Sequence, residues 1–97
     1  MANYIILFRF TPQGIQNIKE SPKRVADAKK LFKDMGAKVK QFYTVMGQYD
    51  TVFIVEAPDD ETIAKATLAL GSLGNVQTET LRAFTEDEYR KIVAALP

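Results

Sequence analysis

Side chains able to do chemistry form a narrow set in this chain, because histidine and cysteine are both absent from its 97 residues. Losing histidine removes the usual general base, the serine/histidine and cysteine/histidine pairings and the commonest transition-metal ligand. Losing cysteine removes disulfides, thiolate zinc sites and thiol nucleophiles. What remains is carboxylate, lysine, tyrosine and arginine chemistry, suited to hydrogen bonding and anion capture and thin for acid–base catalysis. No catalytic residue or metal ligand is assigned on this basis, and no cofactor is expected.

Six residues stand out as candidates for holding a ligand: Arg9, Arg24, Tyr43, Tyr49, Asp50 and Arg82. Arg9 interrupts the apolar run of residues 4–10 (YIILFRF), so it should pair with a carboxylate such as Glu56 or Glu79, or meet an anion. Tyr49 and Asp50 close the turn Gly47-Gln48-Tyr49-Asp50. There Gly47 should supply a positive φ and Asp50 should bond turn amides, while Tyr49 either packs at a subunit boundary or stacks on a ligand. Arg24, near the start of the first long helix, and Arg82, near the end of the last strand, are further anion-binding candidates. Tyr43 and Glu56 are expected to line the same cleft.

The elements that must position these residues follow from pattern. Residues 4–10 are β-branched and aromatic and stop at Thr11-Pro12, the signature of a strand. Residues 13–20 read as a connector with one helical turn. Ser21-Pro22 then suggests an N-cap and a first-turn proline, and Val25, Ala28, Phe32 and Met35 recur at helical spacing up to Gly36. Residues 39–46 and 51–57 are two strands joined by the four-residue turn, hence an antiparallel hairpin. Acids at residues 59–61 open a third helical stretch with Ile63, Thr67 and Leu70 inward, and residues 75–83 form a fourth strand. Thr85-Glu86-Asp87-Glu88 is a capping box flanked by Phe84 and Tyr89 at staple positions, followed by Ile92, Val93 and Leu96 on one helix face.

The order is βαββαβ plus a terminal helix. With right-handed crossovers it folds most simply as an α+β, ferredoxin-like sandwich, a four-stranded antiparallel sheet in the order 4-1-3-2 with two helices on one face. One domain spanning residues 1–97 is expected, with no linker or repeat to divide it. Hydrophobic residues at 46% and charged residues at 26% belong to an ordinary globular chain. Neither a basic leader nor an apolar run of membrane-spanning length is present, so a cytoplasmic location without membrane attachment is the expectation. Net charge is +1, yet residues 1–49 carry +6 and residues 50–97 carry −5. Such complementary halves either orient neighbouring subunits or pair helices within one subunit, or are simply solvated helix faces, the reading favoured by Lys23 with Asp27 and Lys30 with Asp34 at helical spacing for surface pairs.

The central strands carry apolar residues on both sides. Tyr4, Ile6, Phe8 and Phe10 point one way and Ile5 and Leu7 the other; Val52 and Ile54 likewise oppose Phe53 and Val55. Covering each such side chain is worth about 1.5–3 kcal/mol, so the face without helices is expected to pack on another chain, giving a homodimer or higher oligomer. The competing arrangement folds the terminal helix across that face within one subunit.

Gly47, Tyr49 and Asp50, followed by residues 55–60 (VEAPDD), 70–76 (LGSLGNV) and 78–84 (TETLRAF), resemble the GYD family of small proteins. Thr11, Gly14, Ser21-Pro22 and Arg24 also fit that pattern. The resemblance implies the dimeric α+β barrel superfamily, in which ferredoxin-like subunits pair through their sheets, and it brings no established activity. The hairpin of residues 44–55 is also similar to the Gly-x-Tyr-Asp turn of the effector domain of Lrp-type regulators, whose DNA-binding helix-turn-helix has no counterpart here.

The function expected is a non-enzymatic, homo-oligomeric module that binds a small molecule in a cleft between sheet and helices or serves as an interaction platform. The alternative is a cofactor-independent enzyme acting on aromatic or quinone-like compounds, with Arg9, Tyr43, Tyr49 and Asp50 as its polar machinery. Nucleic-acid binding is not expected: the charge is nearly neutral, and the strands lack the glycine and aromatic pattern of RNA-recognition sheets.

Overall fold

The computed structural model describes residues 1–97. Four antiparallel strands, β1 (Ala2–Phe10), β2 (Lys38–Thr44), β3 (Thr51–Ala57) and β4 (Val76–Ala83), lie side by side in the order β2-β3-β1-β4. This is the ferredoxin-like α+β topology expected from the element order. β1 runs beside β3 from Ala2 opposite Ala57 to Phe8 opposite Thr51, and beside β4 from Asn3 opposite Ala83 to Phe10 opposite Val76. On the edge, β2 carries one extra residue: Val39 faces Val55, Gln41 faces Ile54, and Lys40 bulges between them.

The helices are α1 (Pro12–Gln16), α2 (Ser21–Asp34), α3 (Asp60–Gly71) and α4 (Glu86–Ala94), with a 3₁₀ turn, Ile18–Glu20, before α2. That turn changes the start of α2. Ser21 was expected as its N-cap, but it is already helical (φ −55°, ψ −42°) because the 3₁₀ turn feeds straight into the helix, and no side chain caps it. The other three α-helices are capped by side chains: Thr11 accepts from the Gly14 amide, Asp59 from Thr62, and Thr85 from Glu88 within a complete capping box. α1 approaches the start of β4 so closely that a Cβ on Gly14 would lie 2.0 Å from the Asn75 carbonyl oxygen, which is why a glycine stands there.

One side of the sheet faces α2 and α3, and the core lies between. Tyr4, Ile6 and Phe8 of β1 and Phe53, Val55 and Ala57 of β3 meet Ala28 and Phe32 of α2 and Ile63 and Ala66 of α3. Phe53 is the hub, with Phe8, Phe32 and Phe42 rings edge-on to it at 4.9, 5.6 and 6.0 Å. Tyr4 sends its hydroxyl out of this core to Asp60 Oδ1 at 2.5 Å. Burial, and then the Asp60 hydrogen bond, push its pKa up to about 12.

The other side of the sheet has no helix over it. α4 was the intrachain candidate to cover it, but α4 buries none of its residues, and Tyr89, Ile92, Val93 and Leu96 are 61, 46, 45 and 63% exposed. Its apolar stripe faces solvent, so the expected amphipathic pattern is real and its partner is not this sheet. With α4 the molecule measures 51 × 30 × 18 Å.

Candidate functional site

The uncovered sheet face and the hairpin at its end form the candidate site. Strand register puts Ile5, Leu7, Val52, Ile54, Leu81 and Tyr43 on this face, side by side across four strands. Ile5, Leu7, Val52 and Ile54 are half-buried by their neighbours, whereas Leu81 and Tyr43 are 44 and 50% exposed. Charges frame the patch. Lys40 and Glu56 pair at 3.2 Å at one end, and Arg9 and Glu79 stand at the other, on adjacent strands.

The β2–β3 turn is built around Asp50 and Gly47. Gly47 has φ +117°, the left-handed conformation expected of it. Asp50 behaves differently from expectation. Its carboxylate accepts from the Phe10 amide at 2.8 Å, at the end of β1, rather than from amides of its own turn. Its backbone completes the attachment: the Asp50 amide donates to the Phe8 carbonyl at 2.8 Å, and the Asp50 carbonyl accepts from the Val45 amide at 2.9 Å. One residue thus fastens the hairpin tip to the central strand.

That anchorage places Tyr49 under Arg9. The guanidinium lies 4.7 Å from the Tyr49 ring centroid, and its Nε donates to the Gln48 carbonyl at 2.8 Å. The Tyr49 hydroxyl donates to Glu79 Oε2 at 2.5 Å, and this bond first, then desolvation, holds the phenol above its ordinary pKa. Arg9 therefore does not form the expected ion pair with Glu56 or Glu79. Glu56 is taken by Lys40, and Tyr49 stands between Arg9 and Glu79 as both a stacking surface and a donor. A small opening of about 180 Å³ lies among Arg9, Tyr49, Gln77, Thr78 and Glu79. Chemically this is a polar, charge-bearing rim with a neutral phenol in its middle, suited to hydrogen bonding at the border of an apolar patch.

The six candidates do not converge on one place. Arg9, Tyr49 and Asp50 meet in the hairpin cluster, and Tyr43 lies on the same face. Tyr43 is opposite Val52 and Glu56 opposite Lys38, so they sit at opposite ends of the β2–β3 ladder and share no cleft. Arg24 lies on the helix side, where it donates to the Gly14 and Asn17 carbonyls at 3.0 and 2.9 Å. Arg82 pairs in register with Tyr4, donates to the Asn3 and Ala83 carbonyls, and stacks 4.4 Å over Phe84 and 5.5 Å over Tyr4. Glu79 was named only as a partner for Arg9; its alternation with Leu81 on β4 is the signal that places it on the open face. No three carboxylates come together as a metal cage requires.

Comparison with known proteins places this geometry in a group. A curated protein of Thermus thermophilus, named glutamine synthetase and cystathionine beta-lyase binding protein, is 39% identical over 84 residues, covering 86% of this chain and 88% of that one. A crystal structure of a Thermus thermophilus protein superposes with a TM-score of 0.58 at 28% identity, over 88% of this chain and 95% of that one. The feast or famine regulatory protein of Mycobacterium tuberculosis, solved with L-methionine, shares the fold, with a TM-score of 0.63 at 16% identity over 90% of this chain and 54% of that one. Residues 4–93 match the GYD domain, and the chain belongs to the GYD domain family.

Proposed function

We propose that this chain is a non-enzymatic interaction module that self-associates through its open sheet face and engages other proteins in that assembled form. The observation that carries the reading is the uncovered patch of Ile5, Leu7, Val52, Ile54, Leu81 and Tyr43, which α4 leaves in solvent. Four strands spaced about 4.8 Å apart and about seven residues long present roughly 450 Å² per copy. Two such faces fall just below the roughly 1,000 Å² that a stable interface needs, so the sheets alone are marginal. The apolar stripe of α4, packed on the partner copy, supplies the missing area. Arg9 and Glu79 at one end, with Lys40 and Glu56 at the other, set the orientation of the two faces.

Engagement of other proteins is supported by the Thermus thermophilus relative, which is named for binding two enzymes. Sedimentation velocity at micromolar concentration tests the assembly. Wild-type protein should sediment as a dimer or larger, and Leu81→Glu, which places a charge in the middle of the patch on an already exposed position, should sediment as a monomer with unchanged circular dichroism. A monomeric wild type would overturn the proposal.

A further inference from the structure

A second region, on the helix side of the sheet, has the form of a ligand site. Between α2, the end of α3 and the sheet lies a half-open cavity of about 460 Å³, within the ~300–1,000 Å³ typical of small-molecule sites. Its apolar lining includes Phe8, Phe42 and Phe53 on the sheet, Val25 and Leu31 on α2, and Leu73 in the loop after α3. Protein interiors are close-packed, and apolar walls facing empty space forfeit their dispersion contacts. The space opens over the half-buried Phe10, Leu31, Phe42 and Leu70, with Phe8 and Phe53, 3 and 2% exposed, as its closed floor.

The polar groups in the cavity are few and unevenly used. Thr51 is the one buried polar side chain of the chain, 8% exposed, and it lines the cavity. Arg24 and Asp27 stand at the mouth. Asp27 is paired with Lys23 at 3.0 Å, but Arg24 takes part in none of the ion pairs of the chain. Its partners are the Gly14 and Asn17 carbonyls, which hold the guanidinium in place and leave its charge without a counter-ion. The adjoining wall at Asn75 is equally fixed: the Thr11 amide donates to the Asn75 carbonyl at 3.1 Å and the Thr11 hydroxyl to the Gly74 carbonyl at 2.6 Å. A half-buried, preorganised cation at the mouth of an apolar cavity complements one kind of molecule.

We propose that this cavity binds a small carboxylic acid with an aromatic or branched apolar body, the carboxylate on Arg24 and the body against Phe10, Leu31 and Phe42. The site is complete within one copy and independent of the open sheet face. The test is a titration of the full-length protein with 3-phenylpropionate and with its uncharged primary amide, followed by backbone amide NMR. The acid should saturably shift the amides of Val25, Ala28, Phe42 and Thr51 and bind about tenfold more tightly than the amide, the increment expected of a charge-assisted hydrogen bond. Arg24→Gln should bring the acid down to the level of the amide, and Arg24→Lys should retain part of the preference. Because Arg24 also ties down α1, Leu73→Trp at the exposed rim serves as an independent variant and should weaken both probes by occluding the space. Binding should persist in the monomeric Leu81→Glu variant, which separates this site from self-association. The proposal is overturned by an absence of saturable shifts at millimolar acid, by undiminished acid binding in folded Arg24→Gln, or by shifts confined to Ile5, Val52 and Leu81.

Discussion

At the residue scale, Asp50 has a mechanical task. Replacing it with alanine leaves the half-buried Phe10 amide without its acceptor, and the expected cost is about 1–3 kcal/mol in urea denaturation. Asp50→Asn keeps an acceptor oxygen and should cost less; equal losses for both variants would mean that the charge, not the hydrogen bond, matters. Tyr4 makes a pH-dependent contribution. Its folded pKa of about 12 exceeds the ordinary 10.0, so the folded chain holds the proton longer than the unfolded one. The contribution of Tyr4 to stability is therefore complete below pH 10 and fades as pH rises from there to about 12. The stability difference between wild type and Tyr4→Phe should shrink across that window, and a constant difference would refute the assignment. Asp50 was legible as a turn residue from its neighbours, but its acceptor role toward Phe10 was not, because that bond spans 40 residues and depends on where the hairpin tip lands beside β1. Arg9 illustrates the same limit: its strand position was readable, while the expected carboxylate or anion is replaced by the Tyr49 ring and the Gln48 carbonyl, which only the landing of the hairpin tip brings within reach.

At the element scale, α4 is separable from the rest. Its capping box and apolar stripe were readable from residues 84–96, since both are local patterns. Where the helix goes was not readable, because nothing in the stripe of Ile92, Val93 and Leu96 distinguishes the chain's own sheet from that of a second copy. Ending the chain after Phe84 removes no buried side chain, so the melting temperature of the isolated subunit should be unchanged while the helical circular dichroism signal falls. A large drop in melting temperature would show that α4 braces the body. A cleft between sheet and helices was expected, but the size and lining of the cavity beside α2 were not readable. Val25, Ala28 and Phe32 marked the inner face of α2, but a gap depends on how far the two helices splay, which helical periodicity does not encode.

At the scale of the whole molecule, the strand order was legible because element order and crossover handedness leave few alternatives. The two-sided apolar character of β1 and β3 was legible as well, since alternation assigns every second residue to the opposite face. If the open face meets another copy, folding and assembly are coupled by mass action, and the melting temperature should rise with protein concentration. A melting temperature independent of concentration, in a sample that sediments as a monomer, would leave the patch as ordinary solvated surface. The bulge at Lys40 bears on how long β2 must be. It amounts to an insertion already absorbed by an edge strand: removing Lys40 would bring Val39 and Gln41 into consecutive pairing with Val55 and Ile54 and leave Phe42 inward and Tyr43 outward. A chain one residue shorter at this point would therefore keep the same interior and lose the Lys40–Glu56 contact at the rim, where a one-residue slip elsewhere would turn the strand inside out.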